Sequence, residues 1–234
     1  MNATQTEIGR SKPSRNKEWS RLTVGGTNKQ GNIDRIRNLD GYHTPPQAVD
    51  ALLDAVDLKP RIWEPANGFN RISDVLSSKG YRVHRSDIYK WSNKTSQLCD
   101  FTNSEEMEVP FKGKNFDIVT NPPFVKAGAF VEAGMDYLLP GGRLCLLLRL
   151  QFLEGQKRKK LFTKYPPEEL LVFSARLPRM HRFDFDLQAL RKKQEGEGKK
   201  FKEPGSALAF GWFIWQKQKS DKAQRSVKPT IRWL

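Results

Sequence analysis

Cysteine is almost absent from this chain of 234 residues. The only two, Cys99 and Cys145, lie far apart and in no Cys-x-x-Cys spacing. That argues against a disulfide scaffold and a cysteine-based zinc site, and it fits a reducing compartment. Histidine is scarce too: His43, His84 and His181 are too scattered for a metal cluster, so no metal is expected. No window approaches the about 18 consecutive apolar residues of a membrane helix. The first twenty residues contain no apolar run of the kind a secretory signal needs. A soluble, cytoplasmic chain with no membrane partner is the expectation.

Charge of one sign is what the chain has in excess. Lys and Arg number 41 against 26 Asp and Glu, a net +15, of which residues 1–148 carry +3 and residues 149–234 carry +12. A basic excess concentrated in the last third suggests a polyanion partner. A solubilising basic tail is the alternative.

Residues 1–40 are polar and basic, poor in large apolar side chains, and read as a flexible N-terminal arm. Patterned segments begin near Tyr42. Ala48, Val49, Leu52, Leu53 and Val56 have helical spacing, with Thr44 as the expected N-cap and Pro45 at the first helical position. Short apolar strands are expected at 61–64, 81–84 and 116–120, with helices at 72–76 and 127–139 between and after them. The run from Leu144 to Leu150 is nearly all apolar, as a strand buried on both faces requires. Alternating strands and helices give an α/β class with a mostly parallel sheet and helices on both faces. Beyond Leu150 the spacing predicts a basic helix around Gln156–Lys160, a strand from Glu169 to Ser174, a long mobile loop over 188–206, a last strand from Ala207 to Trp215, and a basic tail over 217–234. The domain itself spans 41–216, with a basic substrate-binding insertion at about 151–206.

Open parallel sheets bind ligands at the carboxyl ends of their strands. Three turns fall at such ends. Glu64-Pro65-Ala66-Asn67-Gly68-Phe69-Asn70 is a small-residue turn before a helix N-terminus, suited to backbone contact with a ligand. Asp87 follows a strand about twenty residues later, where an acid can accept two ribose hydroxyls. Asp100-Phe101 pairs a carboxylate that can accept from an amino group with a ring that can stack. Each acid alone reads equally as an exposed turn residue or helix cap. The fourth corner is Asn121-Pro122-Pro123-Phe124, directly after an apolar strand. Two prolines fix the backbone and remove two donors, leaving carbonyls beside an amide oxygen. Such a corner suits an acceptor for a planar amine, with the Phe124 ring as a flat surface. An ordinary strand-terminating turn is the alternative.

With these motifs in order, the chain resembles class I S-adenosylmethionine-dependent methyltransferases of the adenine-N6 type, in particular small phage and prophage DNA adenine methyltransferases. The resemblance covers about Tyr42 to Gln216. It implies a Rossmann-like fold with a seven-stranded sheet, in a bacterial or phage-infected host cell. It implies a catalytic role for Asn121, Pro122, Pro123 and Phe124. It implies S-adenosyl-L-methionine as cofactor, bound by Tyr42, Thr44, Pro45, Glu64, Pro65, Ala66, Asn67, Gly68, Asn70, Asp87, Ile88, Asp100, Phe101 and Asn121. The segments Leu148–Arg158, Arg182-Phe183 and Ala209–Trp215 resemble the later part of the phage group. One departure stands out: the loop carries Asn70 where the family usually has a second glycine, and its side chain could crowd the cofactor. Asn tolerates left-handed backbone better than most residues.

The implied reaction is direct in-line transfer to the adenine N6 amine. The amine would bond the Asn121 side-chain oxygen and the Pro122 carbonyl, and Phe124 would stack on the base. Duplex DNA is the expected partner, its target base rotated out of the stack. Arg149, Lys157, Arg158, Lys159, Lys160, Arg179 and Arg182 are candidates to contact phosphates. For Lys157–Lys160 a solvated helix face explains the run equally well, and Phe210 to Trp215 reads as core strand more readily than as a base-stacking platform. Only 151–206 is available for target recognition, so a short or loose sequence preference is expected. An RNA base methyltransferase and a catalytically silent nucleic-acid-binding relative are the alternatives.

Overall fold

A computed structural model describes residues 41–91, 93–103, 108–111, 113–177, 180–181, 183, 187–201 and 208–234. The expected arm at 1–40, and Arg179 and Arg182, lie outside them. Among the described residues the first helix, α1 (Pro46–Ala55), leads to β1 (Arg61–Glu64), α2 (Arg71–Ser78), β2 (Arg82–Asp87) and β3 (Gln97–Leu98). Then come β4 (Asp117–Thr120), a 3-10 turn (Phe124–Lys126), α3 (Ala127–Tyr137) and β5 (Arg143–Arg149). A second 3-10 turn (Leu150–Leu153), α4 (Gln156–Lys164), β6 (Glu169–Val172), α5 (Leu187–Gly196), β7 (Phe210–Gln216), α6 (Asp221–Arg225) and β8 (Thr230–Trp233) complete the chain.

The strands form one sheet in the order β3-β2-β1-β4-β5-β7-β6-β8. The pairs β1–β2, β1–β4, β2–β3, β4–β5 and β6–β8 are parallel, and β7 runs antiparallel to both neighbours. This is the expected mostly parallel Rossmann-like arrangement, with eight strands among the described residues where seven were expected.

Side chains alternate between faces along each strand. Ile118, Leu144, Leu146, Leu148, Phe213 and Trp215 join one apolar cluster with Phe130, Val131 and Met135 of α3. Val119, Cys145, Leu147, Trp212 and Ile214 join the other, with Val49 and Leu52 of α1 and Ile72 and Leu76 of α2. Helices therefore cover both faces, and β5 is apolar from Leu144 to Leu148, between its terminal arginines, because both of its faces are covered. The buried indoles find acceptors: Trp212 Nε1 donates to the Ala48 carbonyl at 2.7 Å and Trp215 Nε1 to the Tyr165 carbonyl at 2.9 Å. Phe210–Trp215 is thus core strand. Truncating Trp212 to alanine costs about 3–5 kcal/mol.

Four expectations differ from the structure. Thr44 does not cap α1: the N-cap is Pro45, with Pro46 the first helical residue, and no side-chain cap bond forms. The segment expected as a mobile loop over 188–206 contains α5, because Leu187 to Glu195 is built of good helix formers and carries an Arg191–Glu195 pair one turn apart. The basic tail is not featureless. Its α6 is capped by Ser220, whose hydroxyl accepts from Ala223 N–H, and β8 extends the sheet beyond β6. The two-residue β3 was not expected, being too short to show a period. Among the described residues no helix is long and apolar enough to cross a membrane.

Candidate active site

The carboxyl ends of β1, β2, β3 and β4 open into one cleft, whose empty space counted to its open mouth is ≈ 960 Å³. Tyr42, Thr44, Glu64, Pro65, Ala66, Asn67, Gly68, Asp87, Ile88, Asp100, Phe101, Asn121 and Pro123 all line it. Of the sequence-derived cofactor residues only Pro45 and Asn70 do not line it.

Glu64, the last residue of β1, is 1% exposed, and its Oε2 is buried without a hydrogen-bond partner. Burial pushes its carboxyl well above the ordinary value, against the opposing pull of hydrogen bonding from Ser73 and the charge of Arg85. The loop that follows is fixed by its own side chains. Asn67 Nδ2 donates to Asn70 Oδ1 at 2.7 Å, and Ser73 Oγ donates to Asn67 Oδ1 at 2.9 Å. Asn70 adopts the left-handed conformation at φ 64, which a glycine would otherwise supply. Its side chain is turned onto Asn67, so it does not crowd the cleft.

Asp87 ends β2 and is buried. Its Oδ2 accepts from Gly68 N–H at 2.8 Å; its Oδ1 accepts from Tyr89 N–H at 3.0 Å and Trp91 Nε1 at 3.1 Å. Burial raises its pKa to about 6 in spite of these donors. Glu64 and Asp87 are therefore neither exposed turn residues nor helix caps. Asp100 is more open. Burial raises its carboxyl, but hydrogen bonds from Thr102 and the nearby Lys126 ammonium outweigh that, and the group lies below its ordinary value. Phe101 is 2% exposed and packs edge-on against Trp63 at 5.0 Å and Tyr137 at 5.2 Å. Its ring is a wall of the core that reaches the cleft, not a free stacking surface.

At the end of β4, Asn121 Nδ2 donates to Thr44 Oγ1 at 3.0 Å, and Asn121 Oδ1 is left buried with no hydrogen-bond partner. Pro122, whose carbonyl was expected to accept from the amine, is a buried residue, and the Pro123 carbonyl accepts Lys126 N–H at 2.9 Å to start the 3-10 turn. Phe124 does not line the cleft. Its ring meets Tyr42 at 5.2 Å and Phe210 at 5.7 Å, and the Arg149 guanidinium lies 4.3 Å from its centroid. The expected stacking surface is thus covered.

The mouth carries an aromatic group that the sequence reading did not assign to the site. Phe69, Trp91 and Phe183 meet pairwise at 4.9–5.3 Å, and His43 packs on Phe69 and Phe183. The segment bearing Phe183 is joined to the one before α1: His43 N–H donates to the His181 carbonyl at 2.8 Å and Phe183 N–H to the Gly41 carbonyl at 3.0 Å. Burial, with Arg71 and His181 nearby, lowers the His43 pKa to about 4. No local pattern marks these residues, since they come from four separate segments. Lys126 was also missed; it lies five residues after Asn121, close enough in sequence to have been considered.

Of the basic candidates, Lys157, Lys159 and Lys160 are exposed on α4. Lys159 and Lys160 share a shallow groove with Lys164 and Arg225 of α6. Arg158 instead donates to the Gln151 and Glu154 carbonyls at 2.6 and 2.8 Å and lies over Phe152. It holds the preceding turn together. Among the described residues no cluster of His, Cys, Asp or Glu could hold a metal ion.

No protein-family model and no curated protein matches the chain. Solved structures resemble it in fold. One, described under the conversion of a disulfide bond into a thioacetal group during echinomycin biosynthesis, is 10% identical with a TM-score of 0.50, over 77% of this chain and 85% of that one. A Listeria monocytogenes protein, assigned by inference to the class I S-adenosylmethionine-dependent methyltransferases, is 17% identical with a TM-score of 0.47, over 81% of this chain. This chain spans 64% of that protein's length. An Agrobacterium tumefaciens protein, assigned by inference as an O-methyltransferase, is 13% identical with a TM-score of 0.48, over 81% of this chain and 86% of that one. At these identities the likeness is one of fold alone.

Proposed function

We propose that this chain is an S-adenosylmethionine-dependent methyltransferase acting on the exocyclic N6 amine of adenine in DNA. The observation that carries the reading is the buried, unpartnered Oδ1 of Asn121 beside a cleft floored by acidic strand ends. A buried acceptor left unmade costs about 1–3 kcal/mol. An amine hydrogen at this oxygen would recover that.

The residues present fit the donor. The orphaned Glu64 Oε2 suits a cationic amine, Asp87 has remaining acceptor capacity for hydroxyls, and the loop from Pro65 to Gly68 leaves backbone at the cleft surface. Tyr42, Thr44, Ile88, Asp100 and Phe101 would complete its surroundings. When bound, S-adenosylmethionine supplies an electrophilic methyl carbon on a sulfonium.

The chain's own contribution is orientation and polarity. Thr44 takes the Asn121 amide N–H, which leaves the buried oxygen as the unpartnered acceptor. An adenine N–H held at that oxygen favours a pyramidal nitrogen, whose lone pair is no longer delocalised into the ring. A neutral amide does not take the proton, so it leaves to water once the nitrogen carries charge. The basic last third supports a polynucleotide acceptor, with the exposed lysines of α4 as its phosphate contacts. A base in a duplex must be rotated out to reach this corner, at a cost of a few kcal/mol.

Incubation with methyl-labelled S-adenosylmethionine and separate DNA, RNA and protein pools tests the reading, followed by digestion and identification of the methylated atom. N6-methyladenine in DNA is the expected product. Label in RNA bases or protein, or in none of the pools, overturns it.

A further inference from the structure

We propose that Arg149 is a displaceable plug on the acceptor side of Phe124, a planar cation that a planar acceptor ring must evict in order to stack. This rests on the function proposed above. Arg149 ends β5, next to β4, whose last residue, Thr120, precedes Asn121. Its guanidinium carbon lies 4.3 Å from the Phe124 centroid and 5.5 Å from that of Tyr42, and its Nη2 donates to the Tyr42 hydroxyl at 2.9 Å. Apolar atoms in contact are about 3.5–4 Å apart, so at this distance no second flat group fits between the guanidinium and the ring. The rest of Phe124 is packed inward, against members of both core clusters. The guanidinium lies over the ring in addition to these core contacts.

The displaced group has somewhere to go. A side pocket of ≈ 180 Å³ borders the same ring and is lined by Phe124, Arg149, Gln151, Phe152 and Arg158, among others. Val125 borders both this pocket and the donor cleft, and it is 83% exposed. An acceptor ring arriving over Val125 would meet Phe124 on one side of this ridge and Asn121 on the other. The evicted cation would then lie beside the incoming strand, where a phosphate can pair with it. Entry of the base and gain of a phosphate contact are in this way one event.

Adenosine, which has the acceptor ring and no phosphate, separates the two effects. Its binding is measured by titration calorimetry on enzyme saturated with S-adenosylhomocysteine, which keeps it out of the donor cleft. Arg149→Ala uncovers the ring, so it binds adenosine on the order of tenfold more tightly than the parent, the scale of one cation–π contact and one hydrogen bond. Tyr42→Phe removes only the hydroxyl tether, and tightens binding about threefold. A merely structural arginine would weaken binding when removed. Unchanged or weaker adenosine binding in Arg149→Ala, or no saturable site in any of the proteins, overturns the plug. A protein that methylates DNA adenine without this gain keeps its proposed reaction and loses the plug. One that labels none of the pools yet shows the gain loses the reaction and keeps the plug.

Discussion

Thr44 Oγ1 accepts the Asn121 amide at 3.0 Å, from 77 residues away in sequence, and so decides which end of that amide is left without a hydrogen-bond partner. Thr44 thereby serves the corner at the end of β4 rather than the helix it precedes. Tyr42, two residues earlier, touches Phe124 and Arg149. One short segment before α1 therefore positions both halves of the corner.

Asn121→Ala should abolish methyl transfer while leaving S-adenosylhomocysteine affinity within a few-fold of the parent, because it removes the acceptor oxygen and little else. Thr44→Val keeps the shape but removes the oxygen that takes the amide. It should lower kcat about tenfold, the scale of one net hydrogen bond, and Thr44→Ser should restore most of it. Single-turnover rates and calorimetric affinities check both. Full transfer by Asn121→Ala would remove the amide from the mechanism.

The loop residue that departs from the family pattern makes a second prediction. Asn70 has φ 64 and its Oδ1 holds Asn67. Asn70→Ala keeps a Cβ in left-handed backbone and loses the hydrogen bond, a cost of about 2 kcal/mol. For a chain of this size that lowers Tm by roughly 4–8 °C. Asn70→Gly loses the bond but relieves the backbone, and should fall less. Thermal unfolding of the two variants side by side checks the order; a larger loss in Asn70→Gly would contradict the account.

Much of this site was legible because its chemistry sits in short contiguous motifs at strand ends. Glu64–Gly68, Asp87 and Asn121–Phe124 could each be placed by an apolar strand before it, and the parallel sheet brings strand ends together without further information. Long-range partners were not legible. Neither Thr44 beneath Asn121 nor Arg149 over Phe124 follows from any local spacing, and Phe183 joins Phe69 and Trp91 only through tertiary folding. In the fold, α5 and β8 were hidden by composition. Both are rich in polar and basic residues, and β8 is held by pairing with β6 rather than by burial, all four of its residues being exposed.

Asp87 predicts how donor-site binding responds to pH. Its pKa stands at about 6 in the folded chain against an ordinary 3.8, raised by burial. Its contribution to stability is therefore fully present below the ordinary value and is lost as pH rises through about 6. A ligand whose hydroxyls need the carboxylate has the opposite preference, so its binding should release protons and weaken below pH 6. S-adenosylhomocysteine affinity should fall about tenfold from pH 7 to pH 5. Glu64, also raised by burial, acts in the same direction. The ligand-induced shift in Tm should accordingly shrink between pH 7 and pH 5; a shift that stays level would remove Asp87 from donor binding.

The exposed lysines of α4 supply the last prediction. Lys157, Lys159 and Lys160 project from a helix whose Leu161 and Phe162 pack on the core, so their removal should leave the fold intact. If each neutralises one duplex phosphate, binding becomes less dependent on salt when they are lost. The logarithmic salt slope for duplex DNA changes by about 0.9 per contact, so replacing all three with glutamine should reduce it by about 2.7. S-adenosylhomocysteine affinity should not move, since none of the three lines the donor cleft. Fluorescence anisotropy on labelled duplexes over a range of salt concentrations reads the slope. An unchanged slope would make the basic run a solvated helix face, and the polyanion contact would then have to come from elsewhere in the basic last third.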